Sequence, residues 1–443
     1  MNLKSANRQL DNSTALAIAD AGIEYYRWHL AHSPGDFQDG TGQPGPYEHE
    51  YYDKNGSLIG RFILEITPPT AGSAVVVRST GKIEKDASIE KIIEAQMAIP
   101  SLAQYAVIAN DNVQFGPGTE IFGKVHANGG ISFNGIAHNI VSSDRQTYND
   151  PDHAGGDEYA IHTHINPSDP LPPSPLPLRP DVFEAGRQLS VPAVDFDGLT
   201  GDLAQIKSDA QSAGRYFGSS EDDGYHIVLK TNDTFDLYKV TKVKKPQAGC
   251  TVVLGEKDWG TLTIQTEQFI QNYSFPANGL IFVEDHVWVD GHINTARLTI
   301  ASGKFPENPG QLKNIYINKD VLYTNYDGQD VLALMAQRDV SVGLESEDDL
   351  RIDAVLVAKN GRVGRFYYKP QDGNPGCSPY DTRNSIILYG MIATNQRYGF
   401  AYSDGTGYQT RSISYDPNLI FAPPPGFPAA AGTHKVISWK EIK

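Results

Sequence analysis

The clearest periodicity lies near the N-terminus. Leu16, Ala19, Ile23, Tyr26 and Leu30 recur at i, i+3, i+7, i+10 and i+14, an apolar stripe with helical spacing. Ser13 or Thr14 can cap this helix and Ser33-Pro34-Gly35 ends it, which predicts a helix over 14–30. Strand-like runs follow at Tyr47–Tyr52, Leu58–Thr67 and 74–80. The first two are joined across Asn55-Gly56, a pair that favours a tight turn with positive φ at both central positions. Residues 87–98 fit either element, because Ile89, Ile92, Ile93 and Met97 also suit a helix by spacing. A one-sided helix must bury its stripe, and the nearest apolar surface in sequence is this antiparallel sheet.

From Tyr105 the texture changes to short alternating runs broken by Gly116, Gly118, Gly123, Gly129, Gly130 and Gly135. It returns at 279–300, 314–323, 331–342, 350–357 and 385–394, where Ile281, Val283, Val287, Val289, Ile293, Leu298 and Ile300 are candidates for an interior. Short strands with glycine corners suggest stacked coils of a parallel β-helix, each burying its apolar face against its neighbours. No strict repeat period is legible, and a β-sandwich is the alternative. Between the two blocks, 167–180 holds seven prolines in fourteen residues, an extended crossing segment. Leu203, Ile206, Ala210 and Ala213 then mark a helix, and 225–229 with 234–243 form a strand pair, an insertion expected to pack on one side of the coils.

The expected fold class is therefore mainly β: an N-terminal helix with an antiparallel sheet, then a parallel β-helix-like body with a small α/β insertion. The expected domains are 1–100 for helix and sheet, 101–160 for the first coils, 161–250 for the Pro-rich crossing and insertion, and 251–443 for the main body.

Composition narrows the function classes. The 443 residues carry 37 basic and 53 acidic side chains, a net charge of −16. That balance argues against a nucleic-acid partner, which needs clustered Lys and Arg. With 40% hydrophobic residues the chain can bury a core, so wholesale disorder is excluded. No run of about 18 apolar residues occurs.

Few side-chain constellations point to chemistry. Glu284, Asp285, His286, Asp290 and His292 form the densest polar cluster; in one strand, Glu284, His286, Asp290 and His292 would share an outward face. Carboxylate pairs there can serve as general acid and base in polysaccharide cleavage, although a solvated strand face explains them more simply. Asn325, Asp327 and Asp330 surround Gly328 with oxygen side chains, a calcium candidate that an ordinary Asp-Gly turn also explains. His162 and His164 share a side of an extended segment, with Asp157 and Glu158 just upstream. That ligand set suits a transition metal, and exposed loop histidines are the simpler reading. No Gly-x-Ser-x-Gly elbow, phosphate loop or nucleotide fingerprint occurs, so no further cofactor is expected.

Ala17-Ile18-Ala19-Asp20-Ala21-Gly22-Ile23-Glu24-Tyr25-Tyr26 resembles the A-x-A-E-A-G-I-E-Y-A signature of PilX-like minor pilins and related prepilin-like proteins, departing at Asp20 and Tyr26. Residues 279–291, with Ile281-Phe282-Val283-Glu284 and Val287-Trp288-Val289, resemble a run of pilus-associated β-helix regions. Tyr415-Asp416-Pro417-Asn418-Leu419 and the Pro-rich 423–428 resemble the closing segment of pilin-like proteins. The resemblance implies a non-enzymatic, extracellular, cell-surface protein, pilus-associated or adhesive. It also implies a hydrophobic half-helix upstream of Met1 that anchors the full-length form in the membrane. The implied partners are other pilin subunits or the membrane, through the N-terminal helix, and a glycan or host-surface ligand. The rival class is a secreted carbohydrate-active β-helix enzyme, a polysaccharide lyase or glycoside hydrolase, using Glu284, Asp285, Asp290 and His292. On an extracellular protein Cys250 and Cys377 could close one long loop; two unrelated thiols are the other reading.

Overall fold

In the computed structural model, which describes residues 3–69, 74–99, 102–196, 198–253, 260–370, 376–420, 422–427 and 433–442, the N-terminal segment is a 30-residue helix, α1 (Leu3–His32). It starts well before the expected cap. Ser13 and Thr14 lie inside it, where their hydroxyls donate back to the carbonyls of Gln9 and Leu10, each at 3.0 Å. They bond the preceding turn instead of capping a new one.

Four antiparallel strands follow as a meander: β1 (Tyr47–Tyr52), β2 (Leu58–Thr67), β3 (Val75–Ile83) and β4 (Asp86–Ala98). The last strand among the described residues, Lys435–Ile442, returns to pair antiparallel with β4 as the fifth strand of the sheet. The ambiguous segment 87–98 is thus a strand flanked on both edges. Ile93, Ala95 and Met97 alternate into the core, and β3 and the closing strand supply its backbone partners. The β1–β2 turn differs from expectation: among the described residues of that turn only Gly56 has positive φ, at 81°. Asp53 Oδ1 instead accepts the Asn55 and Ser57 amides at 2.8 and 2.9 Å.

The helix stripe meets this sheet. Ala19, Ile23, Tyr26 and Leu30 are buried with Phe62, Leu64, Val77, Ile93, Ala95 and Met97, while Leu16 lies half-buried at the margin. The two layers approach closely at Gly81. A Cβ there would stand 2.2 Å from the Ala15 carbonyl oxygen and 2.4 Å from the Ala19 nitrogen, so glycine is required by space.

The second unit, Ala103–Leu419 with Pro424–Pro428, is built on parallel pairing. One ladder aligns Ile281, Ile300, Leu334, Leu356, Ile392, Val107, Val125 and Val141 in successive strands. All eight side chains are buried, forming an aliphatic column along the interior. The order in space is not the order in sequence: the early coils stack beyond Thr382–Thr394, because Ile392 pairs with Val107. Blocks expected as separate bodies therefore form one stack.

Two expectations are corrected by these pairings. Residues 251–443 do not make a single body, since the closing strand joins the first unit. The insertion does not merely lie against the coils. Its helix α2 (Gly198–Ala213) packs on Leu280–Val283, and its strands Arg215–Phe217 and Gly224–Lys230 extend the parallel pairing at that end. The hairpin partner Thr234–Val243 carries a further antiparallel strand, Ile264–Ser274, which is mostly exposed.

Candidate functional site

Among the sequence candidates, the acidic cluster at 284–292 is dispersed by the fold. Glu284, Asp285 and His286 occupy the corner between Leu280–Val283 and Val287–Ile293, so they do not share a strand face with Asp290 and His292. Each carboxylate has a partner from a distant part of the chain. Lys207 Nζ and the Tyr216 hydroxyl, the latter at 2.5 Å, both donate to Glu284. Burial works against ionisation of Glu284, but these two donors outweigh it and hold the group below its ordinary pKa. Asp285 is buried; Ser220 donates to it through backbone and hydroxyl at 2.8 and 2.7 Å, and Lys313 at 2.9 Å. Here too burial opposes the charge and the donors prevail, lowering the pKa. Asp290 accepts from His226 Nε2 at 2.9 Å, whereas His292 is exposed. Sequence spacing could not reveal Lys207, Tyr216 and Ser220, which reach the corner from the insertion, or His226, which reaches Asp290 from it.

At the calcium candidate, Asp330 is buried and accepts the amides of Ala296, Thr324 and Asn325 at 3.0, 3.0 and 2.6 Å. Asp327 accepts from the Gln329 amide and side chain at 3.1 and 2.7 Å, and Asn325 Nδ2 donates to Asn294 at 2.9 Å. The three side chains are thus engaged in holding the turn.

Cys250 and Cys377 form a disulfide with Cα atoms 4.6 Å apart. It joins the strand pair Cys250–Val253 and Tyr367–Pro370 to the turn that follows.

The histidine segment is where the structure departs furthest from expectation. Thr147–Tyr148 pairs antiparallel with Glu158–Tyr159, and Ile161–His162 pairs in parallel with the coil strand Ile131–Phe133. This folds Asp150, Glu158 and His162 onto one point, with the three residues 4, 5 and 2% exposed. His162 is therefore not an exposed loop histidine. Its Nε2 stands 3.4 Å from Asp150 Oδ2 and 3.3 Å from Glu158 Oε2. The other carboxylate oxygen, Glu158 Oε1, contacts His164 Nε2 at 2.9 Å and His153 Nδ1 at 3.1 Å. Asp150 and His153 were not legible as members from sequence, and Asp157, which was, does not belong to the cluster.

The coil body also carries a cleft of about 920 Å³ whose lining includes Arg362, Arg397, Arg411, Tyr398, Tyr402 and Asp152. Its cations have partners: Arg397 pairs with Asp152 at 2.5 Å, Arg411 Nε donates to Thr119 at 3.0 Å, and Arg362 donates to the Tyr402 hydroxyl at 3.0 Å.

No protein-family model and no curated protein matches the chain. The competence-associated pilin ComZ from Thermus thermophilus, known from its crystal structure, aligns over 98% of this chain and 98% of its own, with 12% identity and a TM-score of 0.33. A likeness at that level supports neither fold nor function. Among the described residues, no helix is long and apolar enough to cross a membrane.

Proposed function

We propose that this chain is a non-enzymatic, pilin-like cell-surface protein, in which a helix-and-sheet unit carries a β-helical body for display. The observation that carries the reading is topological. The helix bearing the Ala17–Tyr26 signature packs its stripe on an antiparallel sheet, and the last strand among the described residues joins that sheet. The coil body is thus an insertion between β4 and that strand. An insertion of this kind leaves the helix-and-sheet unit with its own paired strands and its own core. The polar half of α1, with Leu10 and Trp28 exposed on it, is the surface through which other pilin subunits or a membrane would be met. The cleft of the coil body, with arginine and tyrosine side chains already held in place, is a suitable seat for a glycan or another host-surface ligand.

The engagement of Glu284, Asp285 and Asp290 by structural partners supports the non-enzymatic reading over polysaccharide cleavage. A panel of acidic and neutral polysaccharides incubated with the protein should yield no new reducing ends. Reproducible cleavage that disappears in Glu284→Gln or Asp290→Asn would replace this reading with the carbohydrate-active one.

A further inference from the structure

We propose that Asp150, Glu158 and His162 hold one divalent transition-metal ion of the zinc class, which pins the 149–157 loop to the coil strand Ile161–His162. Three observations carry this. The first is the direction of the lone pairs. His162 Nδ1 lies 3.0 Å from the Tyr159 carbonyl, an acceptor only, so the ring proton sits on Nδ1. That leaves the lone pair of Nε2 aimed at two carboxylate oxygens. A backbone carbonyl holding the far nitrogen is the usual support of a metal-ligating histidine, because it fixes the tautomer and the ring direction.

The second is a shortage of hydrogen-bond donors at the inward atoms, with only the Tyr148 hydroxyl among the described groups approaching the Asp150 carboxylate. Asp150 Oδ2, Glu158 Oε2 and His162 Nε2 are all buried and none of them has a hydrogen-bond partner. Three buried acceptors facing one another repel unless a metal cation or a shared proton lies between them. The remaining oxygens are held from outside: Asp150 Oδ1 accepts the Asp152 amide at 2.9 Å, and His164 and His153 contact Glu158 Oε1. These contacts orient the carboxylates and leave one inward oxygen on each.

The third is size. Two ligand atoms each about 2.0–2.2 Å from a tetrahedral ion lie roughly 3.3–3.6 Å apart. The imidazole–carboxylate separations are 3.4 and 3.3 Å, and each of the three residues offers a ligand atom within 4.8 Å of those of the other two. One imidazole with two carboxylates suits zinc or a neighbouring divalent ion better than calcium, which takes six or more oxygens.

The test uses the full chain, stripped with a chelator, desalted and titrated with Zn²⁺ and Co²⁺. One equivalent of zinc should bind, the unfolding temperature should rise, and cobalt should give visible bands of low-coordinate Co²⁺. Asp150→Asn and His162→Gln should each lower affinity by at least tenfold, whereas Asp327→Asn should leave it unchanged. No stoichiometric binding, or binding that survives both substitutions, overturns the proposal. If either variant fails to fold, zinc-edge X-ray absorption on the parent chain decides. A nitrogen and oxygen shell at about 2.0–2.1 Å with a single imidazole supports the site, and a shell with two or more imidazoles refutes it.

Discussion

His226 is buried between two carboxylates, with Nδ1 2.7 Å from Glu267 and Nε2 2.9 Å from Asp290. Burial alone would lower its pKa, but hydrogen bonds and charge from both acids overcome that and raise it to about 9. The ordinary value is near 6.5. A folded-state pKa above the unfolded one contributes stability that is complete below about pH 6.5 and is lost as pH rises through about 9. Denaturant unfolding across that window should show stability falling by up to about 3 kcal/mol. In His226→Gln the slope should largely vanish; an equal slope in both proteins would contradict the assignment. The opposite case is His286, which burial and then the neighbouring Lys313 push down to about 4, so it stays neutral and contributes nothing to that window. Neither role was legible in sequence. Asp290 stood out by its neighbours, yet its partner lies 64 residues away and arrives through parallel pairing of Gly224–Lys230 with Val287–Ile293.

At the scale of elements, legibility followed the uniqueness of the period. The α1 stripe fits only a helix, and the structure buries it as expected. Residues 87–98 contain Ile92 and Ile93 in succession, which satisfies both a helical and an alternating template. Tertiary pairing decided in favour of the strand. Ile23→Asp should cost on the order of 3–5 kcal/mol, since the charge would be buried without a partner, and Gly81→Val should be at least as disruptive because its Cβ meets helix backbone. Thermal unfolding of the two variants measures both; wild-type midpoints would contradict the helix-on-sheet packing. The disulfide belongs to this scale too. It spans a sequence separation of 127, and removing such a cross-link costs about 2–5 kcal/mol. Cys377→Ser should therefore lower the unfolding temperature, and a reductant should do the same to the parent and nothing further to the variant.

Across the whole molecule, the mainly β class and the coil texture could be read from glycine-punctuated short runs, but the stacking order could not. Strand separations along the ladder vary widely, with Ile281 pairing to Ile300 and Ile300 to Leu334, so no fixed repeat exists to be found. The junction of Ile392 with Val107 and the return of Lys435–Ile442 to β4 are both long-range closures. The Asp150–Glu158–His162 cluster was half legible: His162 and Glu158 announce themselves, and only the hairpin that brings Asp150 back completes it. Because the aliphatic column is continuous, Leu334→Ala should destabilise the coil body by about 2–5 kcal/mol. The display reading itself is tested most directly on intact cells of the producing organism, by gold-labelled antibody raised against the coil body. The account predicts label on the outer surface or on extended filaments, released by mild shearing or protease treatment. Label confined to the cell interior, with none on unbroken cells, would contradict it.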